Sequence, residues 1–160
     1  MTIPRQLLHP RYWPTWLGVV CMFVLATLPQ RANYLIGCFL GDLFYRFAGR
    51  RRHIAATNLA LCFPELGEVE RRALLKQTMR NQGIGLMETL RTWFTPVERL
   101  GVTLELVGER YLDEAEGGVI VLGSHFTSID VGGALLGQRF PSDSFYRRQK
   151  NPVLEWLMSR

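Results

Sequence analysis

Cysteine is scarce in this 160-residue sequence, and the three cysteines, Cys21, Cys38 and Cys62, are far apart and form no CxxC pair. This odd, scattered set excludes a disulfide scaffold or a cysteine-based zinc site and suits a reducing compartment. The sequence also lacks internal repeats and flexible linkers. With 48% hydrophobic and 21% charged residues, the composition excludes a disordered protein, and the length fits one domain.

Acidic residues are fewer than basic ones, 14 against 19, which gives a formal net charge of +5. A basic protein of this kind has nucleic acid, anionic lipid and acidic substrates as possible partners. The charge alone does not choose among these three classes.

Long apolar runs are also few, and the longest apolar run without a charged residue covers residues 12–28. Its 17 residues would span about 26 Å as a helix, at the short limit for a bilayer core. Tyr12, Trp13 and Trp16 at its front edge are typical of an interfacial aromatic belt. The pattern favours an uncleaved membrane anchor. A buried soluble helix is one alternative, and a cleaved signal peptide is disfavoured because no small-residue cleavage site follows Leu28.

A second apolar segment, 34–47, has large apolar residues at helical spacing and is followed by the basic cluster Arg50–Arg52. This pattern predicts an amphipathic helix at a membrane interface, with the arginines near anionic headgroups. The alternatives are a helix that packs on the rest of the domain and, more weakly, a nucleic-acid patch. We therefore predict a membrane anchor and interfacial helix over 1–52 and a second domain over 53–160, on the cytoplasmic side because positive charge dominates there.

The rest of the sequence mixes helical and strand patterns. A helix should end at Phe63 because Pro64 follows, and periodic apolar residues predict a long helix over 65–94. An α/β fold is predicted because strands alternate with helices, as in parallel or mixed sheets with flanking helices. The predicted strands are 102–107, 144–147 and the β-branched run 119–122, which should be buried on both faces; a helix is predicted over 130–138. Residues 151–160 resemble an interrupted amphipathic helix.

The chemistry is predicted where strand 119–122 meets the next helix, at His125 and Asp130. If Asp130 folds back on the imidazole, it can accept a hydrogen bond from one ring nitrogen and so fix the tautomer. The other ring nitrogen is then free to act as a general base that deprotonates a hydroxyl, which attacks an acyl carbonyl. The alternative is structural, because residues 127–130 form a capping-box pattern in which Asp130 only caps the helix. Similarly, Leu86, Met87 and Leu90 could line an acyl-chain tunnel, although an ordinary core is the more common use of such a stripe.

The segment 125–130 resembles the HX4D/E signature of glycerolipid-type acyltransferases. The wider chain is similar to the late lipid A acyltransferases of Gram-negative bacteria, lauroyl- and palmitoleoyl-type enzymes among them. Several motifs carry this resemblance in the correct order: residues 8–13, 58–64, 85–89, 93–94, 121–126, 146–147 and 151–152.

The resemblance implies an enzyme at the cytoplasmic side of the bacterial inner membrane. Such an enzyme transfers a fatty acyl chain from acyl carrier protein to a hydroxyl of a Kdo-modified, acylated lipid A precursor. His125 would be the base and Asp130 its orienting partner, while Arg147 and, more weakly, Arg148 would bind donor or lipid phosphates. No metal or tightly bound cofactor is implied.

Two residues depart from the family pattern, because this branch more often has Glu in place of Asp130 and Pro in place of Arg148. Two alternative functions remain: a glycerol-3-phosphate or lysophosphatidate acyltransferase, and a membrane-bound fragment without catalysis. Three strand candidates are few for a parallel sheet, so we expect the remaining strands downstream of residue 160.

Overall fold

The computed structural model describes residues 3–141, 143 and 147–159. Within these residues the regular elements are helices, and α4 is the longest of them. The α-helices are α1 (Trp13–Thr27), α2 (Gln30–Phe47), α3 (Gly49–Cys62), α4 (Glu68–Phe94), α5 (Arg110–Asp113), α6 (Ile129–Arg139) and α7 (Pro152–Met158). Short 3-10 turns lie at Arg5–Leu8, Pro10–Tyr12 and Val97–Arg99.

Prolines set several of the helix boundaries. Leu28, which precedes Pro29, is extended and ends α1. Phe63 precedes Pro64 and leaves helical geometry at φ −131° and ψ 62°, which ends α3. The predicted helix end at Phe63 is therefore confirmed, as is the long helix that reaches Phe94.

The centre of the fold is α4, which contacts α1, α2, α3 and α6. Its most extensive contact is with α2, where Gly37 and Gly41 of α2 face Gly83 of α4. A Cβ atom on Gly37 would lie 2.8 Å from the Ile84 Cα, so the two backbones touch directly. Beside this crossing, Arg80 donates two hydrogen bonds of 2.7 Å to the Asp42 carboxylate.

The apolar face predicted for residues 34–47 is divided between the interior and the surface. Ile36 and Leu40 pack on a core cluster, whereas Leu35, Phe39 and Phe47 are exposed. The closest approach of α2 to α4 is therefore made by its smallest residues, the glycines. Contact of the exposed side chains with lipid stays a prediction.

Two small apolar clusters hold the helices together. In the first, Ala26, Met87 and Leu90 join α1 to α4. The second joins α1 to α7, and in it the Trp16 and Trp156 rings meet edge to face with centroids 5.9 Å apart. Met87 and Leu90 are only 2% and 6% exposed, so these two belong to the core, while Leu86 lies at the surface.

The predicted membrane anchor at the N-terminus is wrong for this structure. Across the described residues, none of the helices combines the length and the apolar character needed to cross a membrane. The reason is visible in α1, which has 15 residues and a length of about 22 Å, against a bilayer core of about 30 Å. Two of its residues, Val19 and Ala26, are buried against other helices.

The α/β sheet is also wrong, since the described part of the chain contains no strand. Residues 102–106 and 118–126 have no regular structure, and Ile120 and Leu122 are 96% and 97% exposed rather than buried. A β-branched run becomes a strand only when a second strand satisfies its backbone groups, and none of the residues that the structure describes forms such a partner beside this run. The predicted strand 144–147 lies outside the described residues except for Arg147.

Candidate functional site

The candidate site lies where the irregular segment that contains His125 meets α6. Thr127 and Ser128 form the turn, and α6 begins at Ile129, close to the predicted start of this helix. The Ile129 amide donates to the Phe126 carbonyl at 3.2 Å, and the Gly132 amide donates to the Ser128 carbonyl at 3.0 Å. These bonds place Asp130 in the first turn of α6, as the sequence predicts.

The turn lies directly against α4 at Gly85, where the absence of a side chain allows the close approach. A Cβ atom on Gly85 would lie 2.5 Å from the Thr127 Cβ and 3.1 Å from its carbonyl oxygen. A larger residue at position 85 would therefore push the turn away from α4.

Asp130 is oriented by a residue of α4 that the sequence analysis did not assign to the site. The Thr89 hydroxyl donates a hydrogen bond of 2.8 Å to Asp130 Oδ2. The capping alternative is not observed, since the N-cap of α6 is Ser128 and no side chain caps this helix. Thr89 follows Gly85 by four residues and so lies on the same face of α4, and both residues belong to the 85–89 motif that carries the family resemblance.

His125 is exposed to solvent just before the turn. In residues 3–141, no hydrogen bond joins its imidazole to Asp130, whose described side-chain bond is the one to Thr89. The structure therefore brings the two predicted residues to one turn without forming the predicted His–Asp pair.

The two predicted phosphate-binding arginines lie further along the chain, between α6 and α7. Arg147 is exposed, whereas Arg148 Nε lies 3.5 Å from Glu155 Oε1 in α7. Asn151 fixes this end by accepting from the Val153 amide at 3.0 Å and by donating to the Thr15 hydroxyl of α1 at 2.9 Å. No hydrogen bond or ion pair between described atoms connects either arginine to the turn of α6.

No group of three or more His, Cys, Asp or Glu side chains with metal-binding geometry occurs among the residues that the structure covers. The described site offers an exposed imidazole and a carboxylate that a hydroxyl holds in place.

The family is shown by comparison with known proteins. The family model for bacterial lipid A biosynthesis acyltransferases matches residues 1–160, so the chain belongs to this family. Among its relatives is the lipid A biosynthesis lauroyltransferase of Escherichia coli K12, with 38% identity over 96% of this chain and 51% of the relative. The palmitoleoyltransferase of the same bacterium is 35% identical over 98% of this chain and 52% of the relative. A Haemophilus influenzae lipid A biosynthesis acyltransferase is 35% identical over 96% of this chain and 50% of the relative.

The chain thus spans about half the length of the curated relatives it matches. No solved structure matches it significantly.

Proposed function

We propose that this chain provides the HX4D segment of a late lipid A acyltransferase, which transfers a fatty acyl chain from acyl carrier protein to a hydroxyl of an acylated Kdo-lipid A precursor. The observation that supports this most directly is the turn at α6, where His125 is exposed and Asp130 is held by α4. The names of the E. coli and H. influenzae relatives support the substrate class.

In the proposed reaction, His125 removes the proton from the acceptor hydroxyl while the oxygen attacks the thioester carbonyl of the donor. The tetrahedral intermediate then collapses to the new ester, the carbon–sulfur bond breaks, and the imidazolium returns the proton to the departing thiolate. For this role the Asp130 carboxylate must reach the other ring nitrogen of His125. Binding of the acceptor would bring the imidazole to a carboxylate that Thr89 already orients.

We place this reaction at the cytoplasmic face of the bacterial inner membrane. The exposed apolar side chains of α2, among them Leu35, Phe39 and Phe47, would contact lipid there. Arg147 would bind a phosphate of the donor or acceptor, because it is exposed and carries a planar donor fork. Arg148 is the weaker candidate, because it is paired with Glu155.

The test uses a chimera, since the chain matches half of its relatives. Residues 1–160 replace the matching half of the E. coli lauroyltransferase, and acyl transfer to a Kdo-modified lipid A precursor is measured with an acyl carrier protein donor. We expect His125→Ala to lower the rate by at least about 100-fold, because general-base catalysis contributes about 10² to 10⁴.

The matched control is His9→Ala, which removes another exposed histidine far from residue 125 in the sequence. Full transfer by the His125→Ala chimera would disprove the role of this residue as the base. Equal rates with acyl-coenzyme A in place of the acyl carrier protein would disprove the choice of donor.

A further inference from the structure

A second site lies at the opposite end of α4 from the turn of α6. A cavity of about 420 Å³ opens between the end of α2, α3 and the first turns of α4. Four basic side chains line it, two from α3 and two from α4, and apolar side chains complete the wall: Arg52, His53, Arg71, Arg72, Leu59 and Leu75. A volume of this size is within the range of small-molecule sites.

Two of these arginines are held in place by backbone carbonyls. Arg52 Nη1 donates to the carbonyls of Tyr45 and Arg46 at the end of α2. Arg71 Nη1 lies 3.5 Å from the Pro64 carbonyl. Each guanidinium uses one nitrogen in this way, and its remaining N–H groups can bind a ligand.

Arg72, the third arginine, is paired with a carboxylate that a bound anion would have to displace. Arg72 pairs with Glu68 at 2.7 Å, one helical turn away, and the side chains are 69% and 81% exposed. Ion pairs this exposed contribute little, so an anion of higher charge can displace the Glu68 carboxylate. Counting Arg52, Arg71 and Arg72 against Glu68, the cavity has a net charge of +2 with His53 neutral.

The cavity is separate from the proposed reaction centre. Gly85, which contacts the turn of α6, follows Arg71 by 14 residues, or about 21 Å along the helix axis. A group bound between Arg52 and Arg71 is therefore too far away to react at His125.

We propose that this cavity binds the phosphate group of an amphiphile, with the phosphate between the arginines and the apolar part against Leu59 and Leu75. Guanidinium groups from two helices can donate to the several oxygens of one phosphate. A single carboxylate would leave some of these N–H groups without a partner. The apolar wall favours a phosphate that carries a hydrocarbon part over a free phosphate ion. This binding site does not depend on the proposed acyl transfer.

The test measures binding to the 160-residue chain by titration calorimetry, without any turnover. The probes are dihexanoyl phosphatidic acid below its micellar concentration, inorganic phosphate, and dihexanoyl glycerol as the uncharged analogue. We expect binding of the phosphatidic acid, weaker binding of phosphate and none of the glycerol derivative. Affinity should fall as salt is raised.

Three variants separate the cavity from general charge attraction. Arg71→Gln should weaken binding of the phosphatidic acid about fivefold, because one charge-assisted hydrogen bond is lost. Glu68→Gln should strengthen it about twofold, because the competing carboxylate is removed. Arg99→Gln, an equal change of charge outside the cavity, should leave it unchanged.

The gain expected for Glu68→Gln cannot result from misfolding, and circular dichroism checks the helix content of all three variants. Equal losses for Arg71→Gln and Arg99→Gln would overturn the site in favour of general attraction, as would weaker binding by Glu68→Gln. Equal affinities for phosphate and phosphatidic acid would show that the hydrocarbon part adds nothing to binding, and would overturn the proposal that the ligand is an amphiphile. His125→Ala should bind normally, so failure of the proposed function leaves this result intact.

Discussion

The Thr89 hydroxyl is the contact that ties Asp130 to the long helix α4. Thr89→Val keeps the shape of the side chain and removes the donor, so Asp130 loses its orienting partner. We expect kcat for acyl transfer by the chimera to fall about tenfold with little change in KM, since small errors of position reduce catalysis. Steady-state kinetics with the acyl carrier protein donor measure both constants.

The conservative variant Thr89→Ser restores the hydroxyl and should recover most of the rate. A purely structural role for Thr89 would instead lower the melting temperature in proportion to the loss of activity. An unchanged kcat for Thr89→Val would show that Asp130 does not need this hydrogen bond during catalysis.

The sequence identifies His125 and Asp130 but not what surrounds them. Their spacing and the predicted helix start were sufficient to place both residues at one turn. Thr89 lies 41 positions before Asp130, and its role follows only from the packing of α4 on α6. The pairing of Arg148 with Glu155 was not predicted either, although the two residues are close in sequence.

At the level of elements, the contact between α2 and α4 includes a pH-sensitive pair. The hydrogen bond from Arg80, with its charge, lowers the pKa of Asp42 below its usual value. The folded carboxyl thus has a lower pKa than the unfolded one, and the stabilisation is present above the unfolded pKa of about 4. It is lost as the pH falls through the lower, folded pKa.

We therefore expect Asp42→Asn to lower the melting temperature at pH 7 and to lower it progressively less as the pH falls towards 2. Thermal unfolding followed by circular dichroism across this range measures the difference. Glu65→Gln, which removes an exposed carboxylate on the loop before α4, serves as the control. A loss of stability that is the same at both pH values would contradict this assignment.

The close approach of α2 and α4 at their glycines allows a second prediction for this pair of helices. Gly37→Ala places a methyl group 2.8 Å from the Ile84 Cα, so the two backbones must separate. We expect the free energy of unfolding to fall by about 2 to 3 kcal/mol, as for other overpacked sites. Urea denaturation measures it.

Gly18→Ala in α1 is the matched control, because nothing lies within 4 Å of the added Cβ. In a helix interior this change should be neutral or should stabilise by about 0.5 to 1 kcal/mol. If Gly37→Ala behaved like Gly18→Ala, the direct backbone contact would be refuted.

Helices were predictable here because their signals are local. Periodic apolar residues, Pro64 and the turn before α6 are all contained in a few neighbouring residues. The strands predicted at 102–107 and 119–122 have the right side chains, but a strand also needs a partner that the local pattern does not supply. The contact surface of α2 was missed for another reason, since glycines carry no hydrophobic signal.

At the scale of the whole molecule, apolar content did not reveal which residues are inside. Ile120 and Leu122 belong to the most apolar run of the predicted domain and are almost fully exposed, while Asn33 is buried. The 12–28 run suggested a membrane anchor because it is uncharged, yet α1 is short and packs on α4 and α7. Burial depends on which helices meet. The sequence specifies this only through contacts between residues that are far apart along the chain.

The crossing at Gly83 also fixes the rotational phase of α4. A helix turns by about 100° per residue, so Thr89, six residues after Gly83, lies about 240° around the axis from the crossing. Because the backbones of α2 and α4 touch at Gly37, α4 cannot roll without separating from its neighbour. The direction in which Thr89 faces, and with it the position of Asp130, is thus determined at a place where no side chain is present.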